Sequence, residues 1–267
     1  RPLPQQFHSS PTRSVVPVVG DGKWVWRDPP ADQTGYLEPR PYELKVGIEL
    51  NGRGNATSIK ATTPVPVPLP EQEIEDTDIH KVGCDAAFRR LTSEAGQLIL
   101  AAPAIVQGQT IGAVATMQIV LHKSYQGFTK DQFPQQQPRI QRDFAKEYLH
   151  DSPGIQTRPD IVRDLAKQVG GQIDHPWDKA KAFHDWVWEN IRPLEGPYTS
   201  VVDAIRNRVG DCEEHASVFT ALCRVSGIPA RLVWVPNHNW AEFFLADEEG
   251  KGHWIPAHTS CYSWFGW

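Results

Sequence analysis

The chain has 267 residues, 40% hydrophobic and 22% charged, with a formal net charge of -5. That is ordinary globular usage, enough for one large domain or two smaller ones with a sizeable core. It excludes a basic footprint for nucleic acid or a polybasic membrane patch, and no apolar run approaches the ~20 residues a transmembrane helix needs.

The first ~35 residues are rich in proline and polar residues, as in a lead-in segment. The stretch "YELKVGIEL" then alternates, with Tyr42, Leu44, Val46, Ile48 and Leu50 on one face, which predicts a half-buried strand. "NGRGN" reads as the turn after it. "TTPVPVPLP" carries too many prolines for a central strand and fits an edge. "GQLILAAPAIV" and "TIGAVATMQIVLHKSY" predict two more strands. Residues 1–135 therefore read as a small β-sandwich domain.

From residue 136 the periodicity turns helical. One helix is expected over "RPDIVRDLAKQVGG", with Ile161, Leu165 and Val169 inward and Gly170 and Gly171 stopping it. A second starts at Pro176, spaces Ala180, Phe183, Val187 and Ile191 helically, and ends before Pro193. A third starts at Asp211, has Ala216, Phe219, Leu222 and Cys223 on one face, and closes at Gly227 and Pro229. "ARLVWV", "WAEFFLA" and "HWIPA" predict strands, the last two joined by the loop "DEEGKG". Helices followed by an antiparallel sheet make residues 136–267 an α+β unit.

Cys212 stands in the first turn of the third helix, after the N-cap candidate Asp211. The helix dipole and the N–H groups there favour a thiolate and can hold an oxyanion. Glu213 and Glu214 beside it oppose thiolate formation. Cys223, on the apolar face, reads as core. His238 opens the strand "HNWAEFF", with Trp240 and Glu242 on its side of the pleat. The four cysteines, Cys84, Cys212, Cys223 and Cys261, do not read as a disulfide framework, and the sequence leaves one bridging pair open. A start at Arg1 fits a processed product and leans towards a secreted or periplasmic location.

Together "GDCEEHASVFTALCRVSGIPAR", "HNWAEFFL" and "HWIPAHTS" resemble the transglutaminase-like, papain-like cysteine protease superfamily of bacterial type. The resemblance implies an acyl-transfer enzyme acting on peptide or protein amides. Cys212 would be the nucleophile, His238 the general base, and His258 the third member that orients His238. The family usually has an aspartate where this chain has His258 in "WIPAH". Asp247 is too far along the hairpin to replace it, and Glu242 has a packing or salt-bridge role, with Arg231 as a partner. Pro193 stands where the family often has an aromatic residue, so Tyr198 and Trp188 are the candidates near the site. The backbone N–H of Cys212 is the expected oxyanion donor.

No cofactor is expected, and no EF-hand spacing is present. Two rival readings stand beside the enzyme. One is a non-catalytic transglutaminase-like binding module, because fold does not guarantee activity. The other is a metal site built from Cys212, His215, His238 and His258. The terminal aromatics Trp264, Phe265 and Trp267 are expected to be packed rather than exposed, covering the cleft or leading into a chain that continues past Trp267.

Overall fold

The structure is a computed structural model that describes residues 16–20, 23–27, 35–235, 238–260 and 263–266. Most of the proline-rich lead-in, Cys261 and Trp267 lie outside those residues. Strands β1 (Val16–Gly20) and β2 (Lys23–Arg27) pair with each other. The rest divides into two compact units, one largely Pro29–Gln126 and the other largely Gly127–Trp267.

The first unit holds β3 (Gly35–Asn51), β4 (Ala56–Val65), β5 (Gln72–Val82), β6 (Asp85–Arg90), β7 (Gly96–Ile105) and β8 (Thr110–Tyr125). They form two three-stranded antiparallel sheets, ordered β3-β8-β5 and β4-β7-β6. The alternating face of β3, from Tyr42 to Leu50, packs against a core that includes Leu98, Leu100, Ile111 and Met117. Residues from both sheets share that core, the sheet-on-sheet packing read from the alternation. Among the described residues β4 pairs only with β7, and Pro64 sits near its end, where a missing ladder N–H costs least. Strands β5 and β6 were not foreseen; their charged residues mask the alternation.

The second unit opens with α1 (Arg142–Tyr148), α2 (Asp160–Gly170) and α3 (Pro176–Asn190). The two-residue strand β9 (Arg192–Pro193), α4 (Val201–Asn207) and the equally short β10 (Val209–Gly210) lead to α5 (Cys212–Val225). A meander of β11 (Ala230–Val235), β12 (His238–Ala246), β13 (Gly252–His258) and β14 (Trp264–Phe265) follows, antiparallel in chain order. Helix α2 turns a stripe of Val162, Leu165, Ala166 and Gly170 inward, with Ile161 and Val169 at its margins, so the buried face is wider than the three positions expected. A Cβ on Gly170 would stand 2.7 Å from the Phe183 ring, so the glycine lets α2 approach α3 as well as ending the helix.

Helix α5 is the centre of this unit. Its expected apolar face is only part of what is buried: every residue from Glu214 to Arg224 is inside. A helix apolar on most sides belongs in the middle of a domain, and α5 packs against α2, α3, α4, β11 and β12. Its C-terminus closes with the amides of Gly227 and Ile228 donating to the carbonyls of Arg224 and Cys223. Gly227 takes the left-handed conformation (φ +79°) that this closure requires.

Candidate functional site

The geometry begins at the first turn of α5. The Asp211 side chain accepts from the Glu213 and Glu214 amides, and Glu214 Oε2 accepts from the Asp211 amide at 2.9 Å, a reciprocal capping box. Glu214 Oε1 also accepts from the Thr199 amide at 2.6 Å and the Thr199 hydroxyl at 3.1 Å. Burial pushes the Glu214 carboxyl up, but these donors outweigh it and hold it below the usual glutamate range. Glu214 is thus a structural cap, committed to N–H groups on its own side of the helix start. Glu213 goes the other way, pushed up by burial and by the neighbouring carboxylates Asp211 and Glu214.

Cys212 is the first residue of α5, half-buried. One turn on, His215 is only 1% exposed, and its Nδ1–H donates to the Thr259 carbonyl. That bond ties the first turn of α5 to the chain just after β13. Burial drives the His215 pKa down to about 4, so the ring is neutral at ordinary pH.

His238 and His258 lie at the same end of the β12–β13 pair. Ala241 faces Ala257, so His258 falls diagonally across from His238. Their Nε2 atoms meet at 2.7 Å, with ring centroids 4.9 Å apart. One nitrogen must carry the shared hydrogen, since two lone pairs or two N–H groups would repel. His258 is 2% exposed and also lies against Trp264, at 5.6 Å between ring centres. Burial depresses the His238 pKa below the usual imidazole value. The alternation along β12 is as expected: Asn239, Ala241, Phe243 and Leu245 are buried, while His238, Trp240 and Glu242 are half-buried.

The other sequence-derived residues fall as follows. Glu242 pairs with Arg231 directly across the β11–β12 ladder, with N–O distances of 2.8 and 2.6 Å, and Arg231 also lies 4.1 Å over the Trp254 ring. Asp247 is in the loop at the far end of the hairpin, where Oδ2 accepts from His253 at 2.7 Å. The nine residues from His238 to Ala246 put it roughly 25 Å or more away along the strand. The Tyr198 hydroxyl donates to the Gly154 carbonyl, and Trp188 is half-buried on α3. Phe265 stacks on Phe243 at 5.0 Å, so this terminal aromatic is part of the core. Cys223 is fully buried, which pushes its thiol well up, and Cys84 and Cys223 are free thiols. A cavity of about 300 Å³ near Asp247 is lined by Phe128, Phe133, Glu249 and His253. Cys212, His238 and His258 do not line it.

Among the described residues, no group of three or more His, Cys, Asp or Glu side chains is arranged to hold a metal ion. None of their helices is long and apolar enough to cross a membrane.

Sequence reasoning missed His184. It is 1% exposed on α3, and its Nε2–H donates to the His258 carbonyl at 3.0 Å. Its position four residues after Ala180 and one after Phe183 puts it on the buried stripe, which is the signal that could have found it.

Residues 163–259 match the family model of the transglutaminase-like superfamily, a span that includes Cys212, His238 and His258. An uncharacterized protein of Haemophilus influenzae is 32% identical over 96 residues, 34% of this chain and 26% of that protein. The protein YebA of Bacillus subtilis, also uncharacterized, is 27% identical over 115 residues, 40% of this chain and 15% of that one. The alignments thus span about a quarter or less of those relatives' lengths. Among solved structures, a proposed cysteine protease from Cytophaga hutchinsonii superposes with a TM-score of 0.64 at 20% identity, over 85% of this chain and 78% of its own. That likeness is one of fold.

Proposed function

Residues 163–259 belong to the transglutaminase-like superfamily, and from that premise we propose that the chain is a cysteine-dependent acyl-transfer enzyme acting on peptide or protein amides. The observation that carries the reading is the 2.7 Å contact between His238 Nε2 and His258 Nε2, beside the end of the sheet that His215 ties to the first turn of α5.

The tautomers follow from that contact. If His238 Nε2–H donates to His258 Nε2, the Nδ1 of His238 carries a lone pair and is the base nitrogen. Nδ1 takes the proton of the Cys212 thiol, and the sulfur attacks the amide carbonyl carbon. The developing oxyanion is held by the backbone N–H of Cys212, since Asp211 already occupies the Glu213 and Glu214 amides. The imidazolium then protonates the leaving amine as the C–N bond breaks, leaving a thioester on Cys212. Water resolves the thioester to an acid, or an amine resolves it to a new amide, each losing a proton to His238. His258 holds the ring of His238 as an aspartate would, but as a neutral acceptor.

The test is site-resolved alkylation with iodoacetamide near neutral pH, read by peptide mass spectrometry. Cys212 is expected to react faster than Cys84 and Cys223, and His238→Ala is expected to abolish the difference. Cys212 reacting no faster than Cys84 would sink the proposal and favour a non-catalytic binding module.

A further inference from the structure

Two buried imidazoles stand next to the proposed centre without being part of it. His184 comes from α3 and His215 from α5, and each is 1% exposed. Their donors reach two consecutive backbone carbonyls: His184 Nε2–H to His258, and His215 Nδ1–H to Thr259. A carbonyl can only accept, so both of these ring nitrogens must carry hydrogen. The two bonds fix the two peptide planes that follow His258. The ladder to β12 and β14 fixes the backbone before it. Together these set the direction in which the His258 side chain leaves the backbone, towards His238 Nε2 at 2.7 Å.

The supports of the two rings differ. His184 Nδ1 meets Asp185 Oδ1 at 3.0 Å, and that carboxylate also accepts from Lys181 at 2.6 Å. Burial raises the Asp185 carboxyl, but its donors outweigh this and hold it below the usual aspartate range. The Phe265 ring stands edge-on to His184 at 5.3 Å. His215 is held by burial in the apolar interior of α5 and by the Thr259 bond. An apolar side chain in place of either ring would forfeit the donor to these carbonyls: at ε in α3 and at δ in α5.

We propose that His184 and His215 form a two-helix clamp whose task is to position His258 against His238; both are positioning residues, and the inference rests on the acyl-transfer reading above. A site held by such supporting bonds loses rate when they go, because a displacement of about 1 Å costs on the order of a hundredfold. The clamp makes an asymmetric demand that a merely space-filling role would not make. A glutamine amide nitrogen reaches roughly where Nε2 of histidine stands, and an asparagine amide nitrogen roughly where Nδ1 stands.

The experiment measures the rate of Cys212 alkylation by iodoacetamide at pH 7, with melting temperature recorded for each variant. The matched variants, His184→Gln and His215→Asn, are expected to stay within about twofold of wild type. The mismatched variants, His184→Asn and His215→Gln, are expected to slow alkylation on the order of tenfold or more while melting close to their matched counterparts. Two positions give two independent comparisons if one variant does not fold. His238→Ala is run alongside. If it slows alkylation and the matched and mismatched variants do not differ, the clamp is overturned and the acyl-transfer reading stands. If it leaves alkylation unchanged, the acyl-transfer reading falls and the clamp with it.

Discussion

An imidazole in place of a carboxylate changes what the third member can do. An aspartate beside His238 would bring a fixed negative charge and favour the imidazolium. His258 brings a lone pair and no charge. A proton on both rings would set two like charges 2.7 Å apart, so the pair is built to share one. The neighbouring His215 carries the clearest acid dependence. Its pKa is 6.5 when unfolded and about 4 in the fold, because burial disfavours the charged ring. The unfolded chain therefore binds the proton more readily, and stability rises with pH across that window. The contribution is complete above pH 6.5 and is lost as pH falls towards 4, where about 3 kcal/mol has gone. His215→Asn keeps a donor for Thr259 but does not titrate. Urea unfolding at pH 6.5 and pH 4 is expected to show wild type losing about 3 kcal/mol more than this variant. Equal losses would mean that the ring is not held neutral by burial.

The start of α5 is the element on which the site depends, and it was largely readable in the sequence. The N-cap Asp211 was read from the sequence; its capping box with Glu214 was not, although Glu214 three residues later is a local signal with a local cause. What could not be read is that Glu214 also reaches back to Thr199, fifteen residues earlier. Helices α1 and α4 were missed for a different reason: at seven residues each, they are too short to show two turns of periodicity. The burial of His184 could have been read from its place on the α3 stripe, but its partner, a backbone carbonyl 74 positions away, could not. Glu214 allows the element to be tested. Its carboxylate accepts three hydrogens, from the Asp211 amide, the Thr199 amide and the Thr199 hydroxyl. A glutamine there has one oxygen and an NH₂ group, so one backbone N–H would face a donor. Nor can the side chain retreat towards β10, because a Cβ on Gly210 would already lie 2.4 Å from Glu214 Cβ. Glu214→Gln is therefore expected to lower stability by about 1–3 kcal/mol, measured by urea unfolding at pH 7. An unchanged midpoint would show that the cap is replaceable.

At the scale of the molecule, the legible part was whatever runs in chain order. Strands β11 to β14 lie side by side in sequence order, so a hairpin signal was enough to pair β12 with β13, whereas the two-residue β14 was not foreseen. The first unit is different. Strand β3 pairs with β8, whose residues lie between about 60 and 90 positions further on, and no turn chemistry encodes such a pairing. The alternation of β3 told which face is buried but not which strand lies beside it. The same division has an energetic side. The core around Leu98 and Leu100 and the core around Phe219 and Phe243 have no residue in common. Removing side-chain volume from one should therefore be felt first within its own unit. Leu100 is fully buried, and Leu100→Ala is expected to cost about 2–5 kcal/mol through lost burial and the cavity left behind. Native-state hydrogen exchange separates the two outcomes. Amides of β7 and β8 should lose protection by that amount, while amides of α5 and β12 keep theirs, and the Cys212 alkylation rate should stay at the wild-type value. A matching loss of protection in α5 would show instead that both cores unfold as one cooperative body. Stability in the sheet unit would then set how long the Cys212 centre survives.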